Sequence, residues 1–175
     1  MAAARALPFH AETSLVIGAA PEQVFELLDE HERLSSHMTK SSWMMAGSSM
    51  TITTDEAHGK AIGSKISLSG TVLGISLQVD EVVTDRQPPW RKTWATIGSP
   101  RLLIIGPYAM GFSLSGQARG SLLRIFIDYE LPESGLARLL GRLFARVYAN
   151  WCTSRMAVDT AEHFRSPKAP LARPG

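Results

Sequence analysis

The chain has 175 residues, 45% of them hydrophobic and 19% charged, with a formal net charge of +2. This length fits one domain with a sizeable core, and the composition excludes a disordered or fibrous chain. The net charge is too small to indicate nucleic-acid binding, and a single cysteine, Cys152, excludes an internal disulfide and a structural zinc site built from several thiolates.

Residues 1–9 read as an N-terminal tail; they contain an Arg but no apolar run long enough for a signal peptide. No window approaches about 18 consecutive apolar residues, so no membrane-spanning helix is expected, and the protein reads as cytoplasmic. HAETSLVI, residues 10–17, alternates weakly up to Gly18 and predicts a first strand. AAPEQVFELLDE follows, with Pro21 suited to a first helical position and Glu22 to the positive end of the helix dipole. Val24, Phe25, Leu27 and Leu28 form its apolar face. HERLSSHM predicts a second short helix that makes contact through Leu34 and Met38.

From Met50 to Leu131 the texture changes to six short apolar runs broken by Gly and Pro, which predicts an antiparallel meander. The last run is the clearest. Leu123, Ile125, Ile127, Tyr129 and Leu131 share one parity, and Arg124, Asp128 and Glu130 take the other. In the run before it, Tyr108, Met110, Phe112 and Leu114 line one face. A long helix is predicted over about residues 134–164, with Ser134 as N-cap. Leu136, Leu140, Leu143, Val147, Trp151 and Val158 recur on it at helical spacing, flanked by Leu139, Phe144 and Tyr148. Residues 166–175 are Pro-rich and basic and read as a disordered tail. No repeat or linker divides residues 10–165, which form a single domain.

A strongly curved sheet wrapped around a helix leaves a hollow wherever side chains do not fill it. APEQVFELLDEHERLSSHM, the PPW turn at 88–90, PYAMGFSL, IDYELP and the C-terminal amphipathic helix resemble the SRPBCC superfamily. Its helix-grip fold is shared by START lipid-transfer domains, polyketide cyclase/dehydrase-like proteins and the birch-pollen-allergen group. VFELLDEHERLSSHM and the following Trp look most similar to a bacterial subset. The resemblance covers residues 10–165. It implies an α+β fold, with a curved seven-stranded antiparallel sheet around the long C-terminal helix and two short helices after strand 1. It also implies an interior cavity for a hydrophobic or aromatic molecule that is lipid-, polyketide- or quinone-like.

Candidate chemistry starts with the histidines. His31 and His37 are six residues apart, about 240° around a helix, and cannot chelate one metal from a continuous helix. His10, His58 and His163 lie on other elements, so neither a metal nor another cofactor is expected. In helix-grip proteins the segment holding His37 flanks the cavity mouth, which makes His37 either a helix cap or a polar group facing a ligand. Met38, Trp43, Met44 and Met45 are then either ordinary core or a deformable apolar rim. Trp94, Tyr108, Met110, Phe112, Tyr129, Phe144, Tyr148 and Trp151 fall on expected inward faces. They form either a core with several buried hydrogen bonds or a ligand-binding lining with polar handles.

Alternation sends Asp128 and Arg124 outward but places Glu81 in phase with Leu77, Val79 and Val83. Glu81 is thus the one candidate interior carboxylate, unless a bulge shifts the strand. It is also the candidate catalytic residue if the protein is an enzyme of the cyclase/dehydrase kind. Cys152 sits mid-helix without a histidine nearby in sequence, and no nucleophile elbow or phosphate-binding glycine motif occurs. Arg138, Arg142 and Arg146 form a stripe at i, i+4 and i+8. They mark either a solvated face or a contact with anionic lipid. No recognised nucleic-acid motif accompanies them. A monomer and a homodimer are equally compatible with these residues.

Overall fold

A computed structural model describes residues 7–30, 50–72, 74–133 and 135–165. In chain order they form β1 (Phe9–Ile17), α1 (Pro21–Asp29), β2 (Met50–Thr54), β3 (Lys65–Val72), β4 (Ile75–Gln87), β5 (Arg91–Arg101), β6 (Tyr108–Gln117), β7 (Gly120–Tyr129) and α2 (Gly135–Arg165). The expected second short helix, with His31, Leu34, His37 and Met38, lies outside the described residues, as does Ser134.

The strands pair antiparallel in the order β1-β7-β6-β5-β4-β3-β2. Pairing of each strand with the next makes β2 to β7 a meander, and β1 joins at the far side along β7. The β4–β5 ladder carries two irregularities, one between Gln78 and Asp80 and one between Val83 and Asp85. Such interruptions bend strands and increase their twist.

One face of the sheet is dry. Ile66, Leu68, Val79, Val83, Trp94, Met110, Phe112, Leu123, Ile125 and Ile127 are buried there at alternate positions along their strands. Helix α1 covers one part of this face with Val24, Phe25 and Leu28, the Phe25 ring meeting Phe112 edge-on at 5.5 Å. Pro21 opens α1 as its sequence predicts, and the Gln23 side chain accepts a hydrogen bond from the Ala20 N–H.

Helix α2 packs against β1 and β7, with Thr153 hydrogen-bonded to Thr13 at 3.0 Å. Its inward face corrects the sequence reading. The buried residues are the small ones, Gly141, Ala145, Ala149, Cys152, Thr153, Ala157, Thr160 and Ala161, together with Met156. Leu136, Leu139, Leu143, Phe144, Val147 and Val158 are instead exposed. Close approach is the physical reason. A Cβ on Gly141 would stand 2.8 Å from the Ile104 carbonyl oxygen and 2.8 Å from Pro132 Cδ, so only a small-residue face can lie this near the sheet and its connecting loops.

Candidate functional site

The dry face holds two polar clusters. The first is built by strand register. Glu81 on β4 pairs with Thr96 on β5, and Tyr108 on β6 pairs with Tyr129 on β7. Thr96 Oγ1 bridges the row, accepting from the Tyr108 N–H at 3.1 Å. Glu81 and Tyr108 are therefore two strands apart, roughly 9.6 Å along the sheet. A phenol and a carboxylate can meet over that distance only by leaning toward each other across the short Thr96 side chain. They do so, and the Tyr108 hydroxyl donates to Glu81 Oε1.

Glu81 keeps its inward parity because the ladder irregularities fall on either side of it. It is only 2% exposed and sits among Ile66, Leu68, Val79 and Trp94. Burial, then the Glu81 charge, pushes the Tyr108 phenol well above its ordinary value, so it stays a donor. Tyr148 and Cys152 approach this pair from α2, near enough to exert an electrostatic influence on it. Burial raises the Tyr148 phenol, and it pushes the Cys152 thiol up to about 12, with help from the Glu81 charge. The thiol is thus no nucleophile near neutral pH.

The second cluster was not foreseen. Asp29, at the last turn of α1, receives Arg86 Nε at 3.1 Å and Nη2 at 2.7 Å. Lys92, fully buried, donates to the Asp29 carbonyl at 2.9 Å and pairs with its carboxylate at 3.0 Å. Burial works to raise the Asp29 carboxyl, but the Arg86 hydrogen bonds and the Lys92 charge outweigh it and hold it below the usual range. Burial lowers the Lys92 ammonium, against the pull of Asp29. Every polar atom named here has a charged partner, so this triad ties α1 to the sheet.

The remaining expected site residues divide. Trp94, Tyr108, Met110, Phe112 and Tyr129 are buried on the dry face, and Tyr148 and Trp151 are half-buried with rings 5.9 Å apart. Phe144 is 49% exposed and does not face inward, because the buried edge of α2 runs through Gly141, Ala145 and Ala149 instead. His37, Met38, Trp43, Met44 and Met45 lie outside the described residues. Arg138, Arg142 and Arg146 are exposed on the first half of α2. A cleft of about 440 Å³ opens beside them between Phe9, Leu131, Arg138 and Arg142, with Glu130 and Glu133 also lining it. His10 is on the outer side of β1, bonded to Asp128 at 2.6 Å and Glu12 at 3.1 Å. Among the described residues no helix is long and apolar enough to cross a membrane.

The antiparallel seven-stranded sheet, the short helix after β1 and the long terminal helix laid on the dry face decide the architecture. The chain has the helix-grip fold of the SRPBCC type. Solved structures match this helix-grip chain over most of its length. Ara h 8.0201 is 10% identical with a TM-score of 0.61, over 89% of this chain and 97% of that one. Major latex-like protein 151 of Panax ginseng is 14% identical with a TM-score of 0.56, over 91% and 99%. The di-domain ARO/CYC StfQ from the steffimycin biosynthetic pathway is 12% identical with a TM-score of 0.58, over 88% of this chain and 51% of that protein. At these identities the likeness establishes the fold alone. No protein-family model and no curated protein matches the sequence.

Proposed function

We propose that this helix-grip protein binds a hydrophobic or aromatic small molecule, lipid-, polyketide- or quinone-like, between the dry face of its sheet and α2. The Glu81–Tyr108 pair carries the reading. A carboxylate and a phenol inside an apolar face cost desolvation that aliphatic side chains of similar volume avoid, and they contribute little net stability in return. Their use is as a polar handle that orients a ligand whose affinity comes from apolar burial, about 25 cal/mol per Å². Trp94, Met110, Phe112, Tyr129, Tyr148 and Trp151 would supply the apolar contacts, with His37, Met38 and Trp43 at the rim. On this reading the protein is cytoplasmic, works without metal or cofactor, and acts as a monomer or homodimer.

Native mass spectrometry of freshly purified protein, followed by thermal denaturation with the compound it releases, tests the proposal. A co-purifying apolar compound that stabilises the protein, and does so more weakly in Tyr108→Phe, is expected. Failure of any apolar compound or of the dye anilinonaphthalene sulfonate to bind saturably to the folded protein overturns it.

A second reading is favoured by the same pair. A carboxylate bonded to a phenol in a dry setting is suited to moving a proton on a polyketide or aromatic substrate, which would make the protein a cyclase/dehydrase-like enzyme. Turnover abolished by Glu81→Gln while binding persists would select the enzyme. Binding without turnover in the unaltered protein selects the carrier.

A further inference from the structure

Helix α2 has two apolar faces, and only one is used by the fold. Leu136, Leu139, Leu143 and Val147 are spaced to share one side of the helix over roughly three turns, about 16 Å. They are 69%, 55%, 63% and 57% exposed. Solvent-facing leucines scattered singly need no explanation, but a contiguous stripe of them marks an interaction surface.

The residues beside the stripe indicate what it meets. From residue 134 to residue 158 the chain has no Asp or Glu, yet it carries four arginines. Arg155 pairs with Asp159 at 2.8 Å. The other three, Arg146, Arg142 and Arg138, run along one flank of the leucine stripe, at rotations of roughly 65°, 105° and 145° from its centre. Among the described residues none of these three makes an ion pair; Arg138 bonds only the Glu133 carbonyl, at 2.9 Å. A second copy of the chain is a poor occupant. Two such faces packed together would bring two arginine rows close, with no carboxylate from either helix between them.

We infer that this face of α2 docks on an anionic lipid bilayer. Leu136, Leu139, Leu143 and Val147 would enter the boundary between headgroups and acyl chains, and Arg138, Arg142 and Arg146 would reach the lipid phosphates. A helix in an interface plane has this arrangement, an apolar face at the acyl boundary with basic residues beside it whose long stems let the charged heads reach outward. The helix lies flat and does not span. Each arginine contributes about a five-fold gain in partitioning near an anionic surface, so the three together contribute on the order of 100-fold. The inference does not depend on the interior ligand, and either can fail alone.

The test is co-sedimentation of the intact protein with phosphatidylcholine vesicles, with and without one third phosphatidylglycerol, at low salt. The protein should sediment with the anionic vesicles and not with the neutral ones. Arg138→Gln/Arg142→Gln/Arg146→Gln should weaken binding on the order of 100-fold, and salt near 1 M, where the screening length is about 3 Å, should do much the same. Leu139→Ser/Leu143→Ser should also abolish sedimentation, with an unchanged melting temperature because both residues are exposed. Absence of sedimentation with anionic vesicles overturns the inference, as does equal binding to neutral vesicles. A dimer in analytical ultracentrifugation that Leu139→Ser/Leu143→Ser converts to monomer also overturns it, by assigning the stripe to self-association.

Discussion

Tyr108→Phe deletes one oxygen from the interior and nothing else. In the native protein that oxygen donates to a carboxylate that is 2% exposed, so water cannot replace it without opening the sheet–helix contact. A hydrogen bond to a charged group contributes about 1.5–3 kcal/mol, and losing it here leaves part of a buried carboxylate unsolvated, so the variant should lose about 2–3 kcal/mol. For a chain of this size that corresponds to roughly 5–10 °C in Tm. Tyr129→Phe is the matched control. It alters a tyrosine in the same cross-strand row, buried to a similar degree but with no bond to Glu81, and should cost under about 0.5 kcal/mol. Urea unfolding at constant m-value measures both. Glu81→Gln makes the acceptor neutral, and in that background Tyr108→Phe should cost only about 1 kcal/mol. The cycle then gives a coupling of about 1–2 kcal/mol. Equal costs in the two backgrounds, or a loss below about 0.5 kcal/mol in the native one, would refute the pairing and remove the support for a polar handle.

Three further outcomes follow from the packing and the charges. Gly141→Ala should destabilise by about 1–3 kcal/mol in the same unfolding assay, although alanine is the better helix former by about 1 kcal/mol, because its methyl meets the Ile104 carbonyl and the Pro132 ring. Asp29→Asn should cost about 3–5 kcal/mol near neutrality by stranding buried Lys92. Asp29's carboxyl is held below its ordinary 3.8, so its contribution is complete above that pH and fades as pH falls through the lower folded value; the variant should flatten the acid limb of stability against pH, and an unchanged limb would refute the triad. Cys152, pushed up to about 12, should hold only roughly one thiolate in ten thousand at pH 8 and react with a disulfide reagent only on unfolding; rapid native reaction would show that α2 does not seal it.

Strand parity was legible because it needs only the period of two. Leu123, Ile125 and Ile127 are buried as their spacing predicts, and Glu81 is buried in phase with Val79 and Val83. The partner of Glu81 was not legible. It depends on the registers of two ladders, β4–β5 and β5–β6, and on Thr96 being short enough to reach across, and neither is encoded in spacing along one strand. Lys92 shares the inward phase of Trp94 and was passed over on residue type, whereas Arg86 was hidden by register. The shift between Val83 and Asp85 changes the phase of β4, bringing Arg86 opposite Lys92 on the side that α1 covers. A lysine and an arginine at the ends of two strands otherwise read as solvated.

The long helix was misread through the rule that large apolar residues face the core. That rule assumes a helix with one apolar face. Between Leu136 and Val158, α2 interleaves two: a row of Gly, Ala and Cys whose volume suits close contact with β1 and β7, and a row of Leu and Val whose volume does not. Hydrophobic periodicity weights side chains by size and so selects the second. Steric fit selects the first, since the Gly141 contacts leave no room for even one methyl. Once the small residues have met the sheet, geometry turns the leucines outward, beside arginines with no carboxylates on their half of the helix. Selection for solubility alone would replace such a stripe with polar side chains at almost no cost to the fold. The stripe's exposure beside the arginines is the ground for the proposed bilayer contact, and the same replacement, Leu139→Ser/Leu143→Ser, separates the two demands: stability should hold while vesicle binding is lost.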